Sequence, residues 1–171
     1  MFIHQEAYAK KVIEKFGISQ TKGVSVPADP HTILYPVESE ETERQVVPYR
    51  EAVESLMLLA AVTCPDIAYA VNSVSKFLNK HNESHWRAVK RIIAYLIETT
   101  SMGIEFRASG SGVEFAGYSD ADFASDIATR RSTTGYAFFY GKRDCNVVVS
   151  TIKTRIDEYN RIGIYRGVNS N

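Results

Sequence analysis

Three carboxylates crowd the string Tyr118-Ser119-Asp120-Ala121-Asp122-Phe123-Ala124-Ser125-Asp126. Side chains alternate faces along a strand, so Asp120 and Asp122 would share one. Carboxylates gathered at a strand end suit Mg²⁺, which takes oxygen ligands and keeps several waters. The plain alternative is a solvated acidic turn in which Asp126 acts as a cap. A calcium EF-hand loop is excluded, because the glycine and the distal glutamate it needs are missing. Glu158 lies near the apolar positions Ile152, Ile156 and Tyr159 and could complete a carboxylate site. It could equally pair with Arg155 or Arg161 on a helix surface.

The cations form two groups. Arg87, Lys90 and Arg91 fall on one side of a predicted helix, with His85 and Trp86 alongside. Such a face can follow a phosphate backbone, or simply be solvated. Arg130-Arg131-Ser132-Thr133-Thr134 offers two charges and three hydroxyls between two predicted strands, suited to phosphate contact or to polar turn chemistry. His81 and His85 have His-x₃-His spacing, but Asn82-Glu83-Ser84 reads as a turn or cap and no third ligand is near, so zinc is not expected. Cys64 follows apolar Ala60-Ala61-Val62 with no histidine beside it in sequence, the setting of an inert buried thiol. The nucleophile elbow, the dinucleotide fingerprint and the phosphate-binding loop are all missing.

These residues need elements to position them. Tyr8, Val12 and Phe16 share a helical face over residues 5–16, and Gly17 is a natural stop. Residues 19–45 carry Pro27, Pro30, Pro36 and an acidic cluster, and no periodicity. A connection of that length is unusual in a compact domain, so it is a linker or a strap lying across something else. Tyr49, Val53, Leu56, Met57 and Ala60 predict a helix to Val62, and Pro65 starts another that carries Ile67, Val71, Val74 and Leu78. A third, capped at Ser84, carries Trp86, Val89, Ile93 and Leu96. Strands are expected at Val113–Ser119, Gly135–Tyr140 and Val147–Val149, and a final helix from about Thr151. The fold class is α+β.

The chain has 171 residues, 44% hydrophobic and 23% charged, with 10 Gly and 5 Pro. That is ordinary globular composition and excludes collagen-like and low-complexity classes. Two cysteines exclude a disulfide scaffold. Twenty basic residues balance twenty acidic ones, so nonspecific nucleic-acid binding driven by net charge is not expected. No apolar run approaches the ~18 residues of a membrane span. The amino-terminal residues lack the basic start and apolar run of a signal peptide. An intracellular location, cytoplasmic or nuclear, is the expectation.

Several strings together resemble one family. Val47-Pro48-Tyr49-Arg50-Glu51-Ala52-Val53 with Ser55-Leu56-Met57 is similar to the segment after the polymerase active site in copia-type LTR-retrotransposon Pol polyproteins. Cys64-Pro65-Asp66-Ile67-Ala68-Tyr69-Ala70-Val71-Asn72 resembles its T-R-P-D-I-A-Y-A-V block. His85-Trp86-Arg87-Ala88-Val89-Lys90-Arg91-Ile92 resembles its H-W-x-A-x-K-R-I block. Gly117–Ala124 and Arg130–Tyr136 resemble the opening of its ribonuclease H domain.

The resemblance implies a reverse-transcriptase-derived helix and linker over 1–45, a helical thumb/connection segment over 46–110, and a partial ribonuclease H-like fold over 111–171. It implies cleavage of the RNA strand of an RNA–DNA hybrid, with Mg²⁺ or Mn²⁺ ions about 4 Å apart held by acidic residues. Asp120 matches the family's first catalytic Asp, and Glu158 the Glu of its E-A-E-Y string. The polymerase's paired-Asp motif has no counterpart here, and the last two ribonuclease H carboxylates would fall beyond Asn171. The expectation is therefore a segment inactive alone, with the hybrid and the remainder of a Pol polyprotein as partners. A noncatalytic nucleic-acid-binding or structural remnant using Arg87, Lys90 and Arg91 is the alternative.

Overall fold

A computed structural model describes residues 1–18, 20–29, 31–37, 47–106, 115–121, 132–140 and 148–154. They belong to two units, a helical one spanning His4–Gly103 and a second formed by Met1–Ile3 with residues from Ile104 onward. The described elements mix helices with small antiparallel sheets, the expected α+β class.

The helical unit begins with α1 (Glu6–Lys15), which buries Ala9, Val12 and Ile13. Tyr8 and Phe16, expected to lead this face, pack at its edges half-buried. Gly17 stops the helix at φ +67°, a left-handed conformation that costs glycine least. The Gly17 amide then donates to the Glu14 carbonyl and the Ile18 amide to that of Ile13. These are the two bonds of a Schellman cap, and the Ile18 and Ile13 side chains, both buried, make its apolar contact.

Helix α2 spans Tyr49–Val62 and buries Tyr49, Ala52, Val53, Leu56 and Leu59. Met57, expected in this stripe, points outward and is 47% exposed. At about 100° per residue the inward arc is centred near Leu56 with Val53 at one edge, and Met57 lies past that edge. A single 3₁₀ turn, Pro65–Ile67, starts on Pro65 and leads into α3 (Ala68–Ser75). Helix α4 spans Glu83–Thr99 and buries His85, Val89, Ile92, Ile93 and Leu96. Tyr49, Leu56, Leu59, Ile67, Ile92, Ile93 and Leu96 form the fully buried centre, each aliphatic side chain contributing roughly 1.5–3 kcal/mol by leaving water.

The proline-rich connection is the strap, not a free linker. Ala28 and Leu34 pack against the core. The Val24 amide reaches the Ala94 carbonyl, and a Cβ at Gly23 would collide with the Glu98 side chain. The Asp29 carboxylate feels the Arg91 charge, and the Tyr35 backbone acts on His85. Residues 23 and 24 meet 98 and 94, and 29 and 35 lie near enough to act on 91 and 85, so the described part of the strap runs antiparallel to α4.

In the second unit the amino-terminal ammonium of Met1 donates to the Phe106 carbonyl and the Phe106 amide to the Met1 carbonyl. These bonds flank the pairing of β1 (Phe2–His4) with β2 (Gly103–Glu105). A separate antiparallel sheet has the order β3 (Phe115–Ala121), β4 (Ser132–Tyr140), β5 (Val148–Thr154). Residues 151–154, expected to open a helix, continue β5 and pair with β4, with Thr151 opposite Gly135 and Ile152 opposite Thr134. β-Branched Val148, Val149, Thr151, Ile152 and Thr154 favour the strand over the helical spacing of Ile152 and Ile156. The rest of the expected helix lies outside the described residues.

Candidate functional site

The basic face is built on α4, and its cap sets it in place. Asn82, in extended backbone at φ −131° and ψ −172°, is the N-cap. Its Oδ1 accepts from the Ser84 amide at 3.0 Å, the Ser84 hydroxyl at 2.7 Å and the His85 amide at 3.3 Å. The Asn82 amide in turn donates to His85 Nδ1 at 3.0 Å. This is a reciprocal capping box with histidine in the place usually held by Glu or Gln. The expected cap, Ser84, is therefore the second helical residue. Asparagine is at least as good a cap as serine, and here it satisfies two orphan amides rather than one.

Glu83 opens the helix, where the dipole favours a carboxylate. Its Oε1 lies 3.4 Å from Arg87 Nε and 3.5 Å from Lys90 Nζ. The expected grouping of these cations on one face is present, and it includes an acidic neighbour that the spacing of the cations alone did not show. Both contacts are long and the Arg87 side chain is 75% exposed, so they hold the face together only weakly. Arg91 is half-buried, and its Nε lacks a hydrogen bond. Asp29, on the strap, lies within reach of its charge. The His31 amide and then the Thr32 hydroxyl hold the Asp29 carboxyl below its usual range, and Arg91 adds a smaller pull in the same direction. Each cation of this face therefore has an acidic neighbour.

The expected flanking aromatics turn inward. His85 is fully buried, its ring 4.1 Å from that of Phe77. Trp86 is half-buried and tilts against Tyr49 at 6.4 Å, while His81 stacks on Tyr49 at 4.2 Å. Tyr49 anchors this cluster by donating its hydroxyl to the Val74 carbonyl at 2.8 Å, and burial pushes its phenol up. The His-x₃-His pair is thus packed among aromatic rings.

Two further polar pairs sit on the same unit. Tyr95 donates to Asp66 Oδ2 at 2.6 Å, and burial, then that bond, push the phenol up to about 12. Cys64 is half-buried. Burial pushes its thiol up, against the pull of its contact with Thr63, and Asp66 pushes it further. It therefore has little thiolate character, as the sequence implied.

The carboxylate candidate divides. Asp120 is exposed near the end of β3, opposite Gly135 of β4. Asp122, Glu158, Arg130 and Arg131 lie outside the described residues. Among the described residues no group of three or more His, Cys, Asp or Glu could hold a metal ion. Of the expected ligands, Asp120 is the one that falls among the described residues. Also among them, no helix is long and apolar enough to cross a membrane.

Comparison with known proteins fixes the lineage. The chain is 42% identical over 145 residues to the retrovirus-related Pol polyprotein from transposon TNT 1-94 of Nicotiana tabacum, covering 82% of the chain and 11% of that protein. It is 36% identical over 141 residues to the Pol polyprotein from transposon RE1 of Arabidopsis thaliana, covering 82% of the chain and 9% of that protein. It is also 47% identical over 92 residues to secreted RxLR effector protein 161 of Plasmopara viticola, covering 54% of the chain and 64% of that protein. No family model matches, and no solved structure does. The chain thus spans about a tenth of the length of the polyproteins it matches. With two such matches over most of its length, the chain belongs to the retrovirus-related Pol sequences of copia-type transposons.

Proposed function

We propose that this chain is the stretch of a Pol polyprotein that links the reverse-transcriptase thumb to ribonuclease H, and that it holds an RNA–DNA hybrid by its sugar–phosphate backbone. The carrying observation is the convergence of Arg87 and Lys90 on one oxygen of Glu83, with Arg91 one turn beyond Arg87 on α4. The three positions span about one helical turn, roughly 6 Å, enough for about two or three phosphate contacts. Phosphate displaces Glu83 easily, since an exposed pair of this kind is worth under about 1 kcal/mol. Base identity plays no part in such contacts. The partners on this reading are the hybrid and the remainder of a Pol polyprotein.

Glu83→Gln tests the face directly. It removes the competing carboxylate and leaves every cation in place. Titration of a fluorescent hybrid should show affinity rising about two- to fivefold at low salt, with the gain shrinking as salt screens it. Unchanged affinity would count against α4 as the contact.

A second reading, metal-dependent cleavage of the hybrid, is favoured by the exposed position of Asp120 near the end of β3. Mg²⁺ or Mn²⁺ would need Glu158 and further oxygen ligands beside it. The purified chain should then cut a labelled hybrid, and Asp120→Asn and EDTA should each abolish cutting without unfolding it. A folded chain that never cuts would mean that Asp120 is inherited from ancestry, and would turn the question to binding.

A further inference from the structure

We propose that His85 is an acid-sensitive latch: its neutral ring closes the cap of α4, and taking up a proton opens that cap. The inference stands on geometry and is independent of the hybrid-binding reading. His85 Nδ1 accepts the Asn82 amide at 3.0 Å. An acceptor nitrogen carries no hydrogen, so the neutral ring must hold its proton on Nε2. Protonation places the new hydrogen on Nδ1, where donor then faces donor and the reciprocal half of the capping box is lost. The ring is fully buried against Phe77 and its Nε2 makes no hydrogen bond of ordinary geometry. A charged imidazolium there would have no new acceptor at Nε2, and its contact with the Phe77 ring would recover only part of its lost hydration.

The surroundings reinforce this. From the connection before α4, His81 opposes a second positive charge, and its own Nδ1 is buried without a partner. From the strap, the Tyr35 backbone pulls the other way, more weakly than burial pushes. From α2, Tyr49 reaches the cluster through its stack on His81, its hydroxyl committed to Val74. On α4 itself, Glu83 is turned to Arg87 and Lys90. Burial, first among these causes, holds the His85 ring below its ordinary 6.5. The opened form therefore binds the proton first. The latch is fully closed above pH 6.5, weakens as pH falls below it, and stops changing once pH passes the folded value.

The test is amide hydrogen exchange at Asn82, whose amide the latch holds, between pH 7.5 and 5, corrected for intrinsic exchange. In the wild-type chain, protection should fall by up to about tenfold per pH unit below 6.5, the limit for one proton. His85→Gln keeps a capping-box residue that does not titrate, so its protection should stay flat. His81→Gln should still respond. Flat wild-type protection, or an equal response in His85→Gln, would overturn the latch. Should His85→Gln fail to fold, nitrogen shifts of the wild-type ring decide: a proton on Nε2 at pH 7.5 is required, and one on Nδ1 would sink the idea.

Discussion

Reversing charge at Arg87 and Lys90, with Arg91→Gln beside them, should weaken hybrid binding at about 0.1 M salt by one to two orders of magnitude. The same triple variant should flatten the dependence of log affinity on log salt by about 2 to 3, since each lost phosphate contact removes nearly one released counterion. Glutamine is chosen at Arg91 because that side chain is half-buried and a carboxylate there would threaten the fold. Lys11→Glu with Lys22→Glu, both at exposed positions outside α4, lowers net charge by about four against about five for the triple variant and so controls for most of the change in charge. If the control weakens binding as much and flattens the slope equally, the attraction is diffuse and α4 is not a contact surface. If the triple variant binds as the wild type does, the hybrid-binding reading fails outright.

The second large effect is on stability. Leu96 is fully buried on α4 within the cluster that includes Leu56, Leu59 and Ile93. Leu96→Ala removes that side chain from the cluster and leaves a cavity that the surrounding core fills only in part, a loss of about 2–5 kcal/mol. For a unit of this size the midpoint of thermal unfolding should fall by roughly 10–20 °C. Met57→Ala, on the outer side of α2, should change stability by less than about 0.5 kcal/mol. Circular dichroism melts of the two variants decide the matter. Equal shifts would mean that the inward face of α2 has been placed wrongly.

The helical half of this fold was legible because its signals are local. Val53 and Leu56 on α2, Val71 and Val74 on α3, and Val89, Ile93 and Leu96 on α4 repeat at helical spacing and are buried. Met57 misled because one apolar residue beside a stripe does not say which side the core lies on. Ser84 misled because serine is a good cap in isolation. The decisive pattern was Asn82 followed three residues later by His85, a rarer spelling of the capping box. At Thr151–Thr154 the helical spacing of Ile152 and Ile156 points to a helix, but the run of β-branched neighbours carries the strand.

The candidate site was legible in part. Arg87, Lys90 and Arg91 share a face, as their spacing required. In sequence Glu83 sits in a turn-like string, and the link from Asp29 to Arg91 crosses a long stretch of chain, so neither acidic neighbour shows in the spacing of the cations. Residues far apart in the chain are joined by packing, which spacing does not encode. Asp120, expected just after a strand ending at Ser119, lies within β3 itself, and its proposed partner Glu158 lies outside the described residues.

The strap has a consequence for how the chain is made. Gly23 and Tyr35 leave the ribosome roughly 50 to 75 residues ahead of Glu98 and His85, the groups they meet. At about 5–20 residues per second, Ala28 and Leu34 wait several seconds with no surface to cover. Closing so long a loop costs little more than closing a short one, because the entropy grows only with the logarithm of length. The delay is therefore kinetic. A nascent chain halted before α4 would present the Ala28 and Leu34 side chains to solvent on a proline-interrupted segment. Birth order thus makes α4 the commitment point for the helical unit.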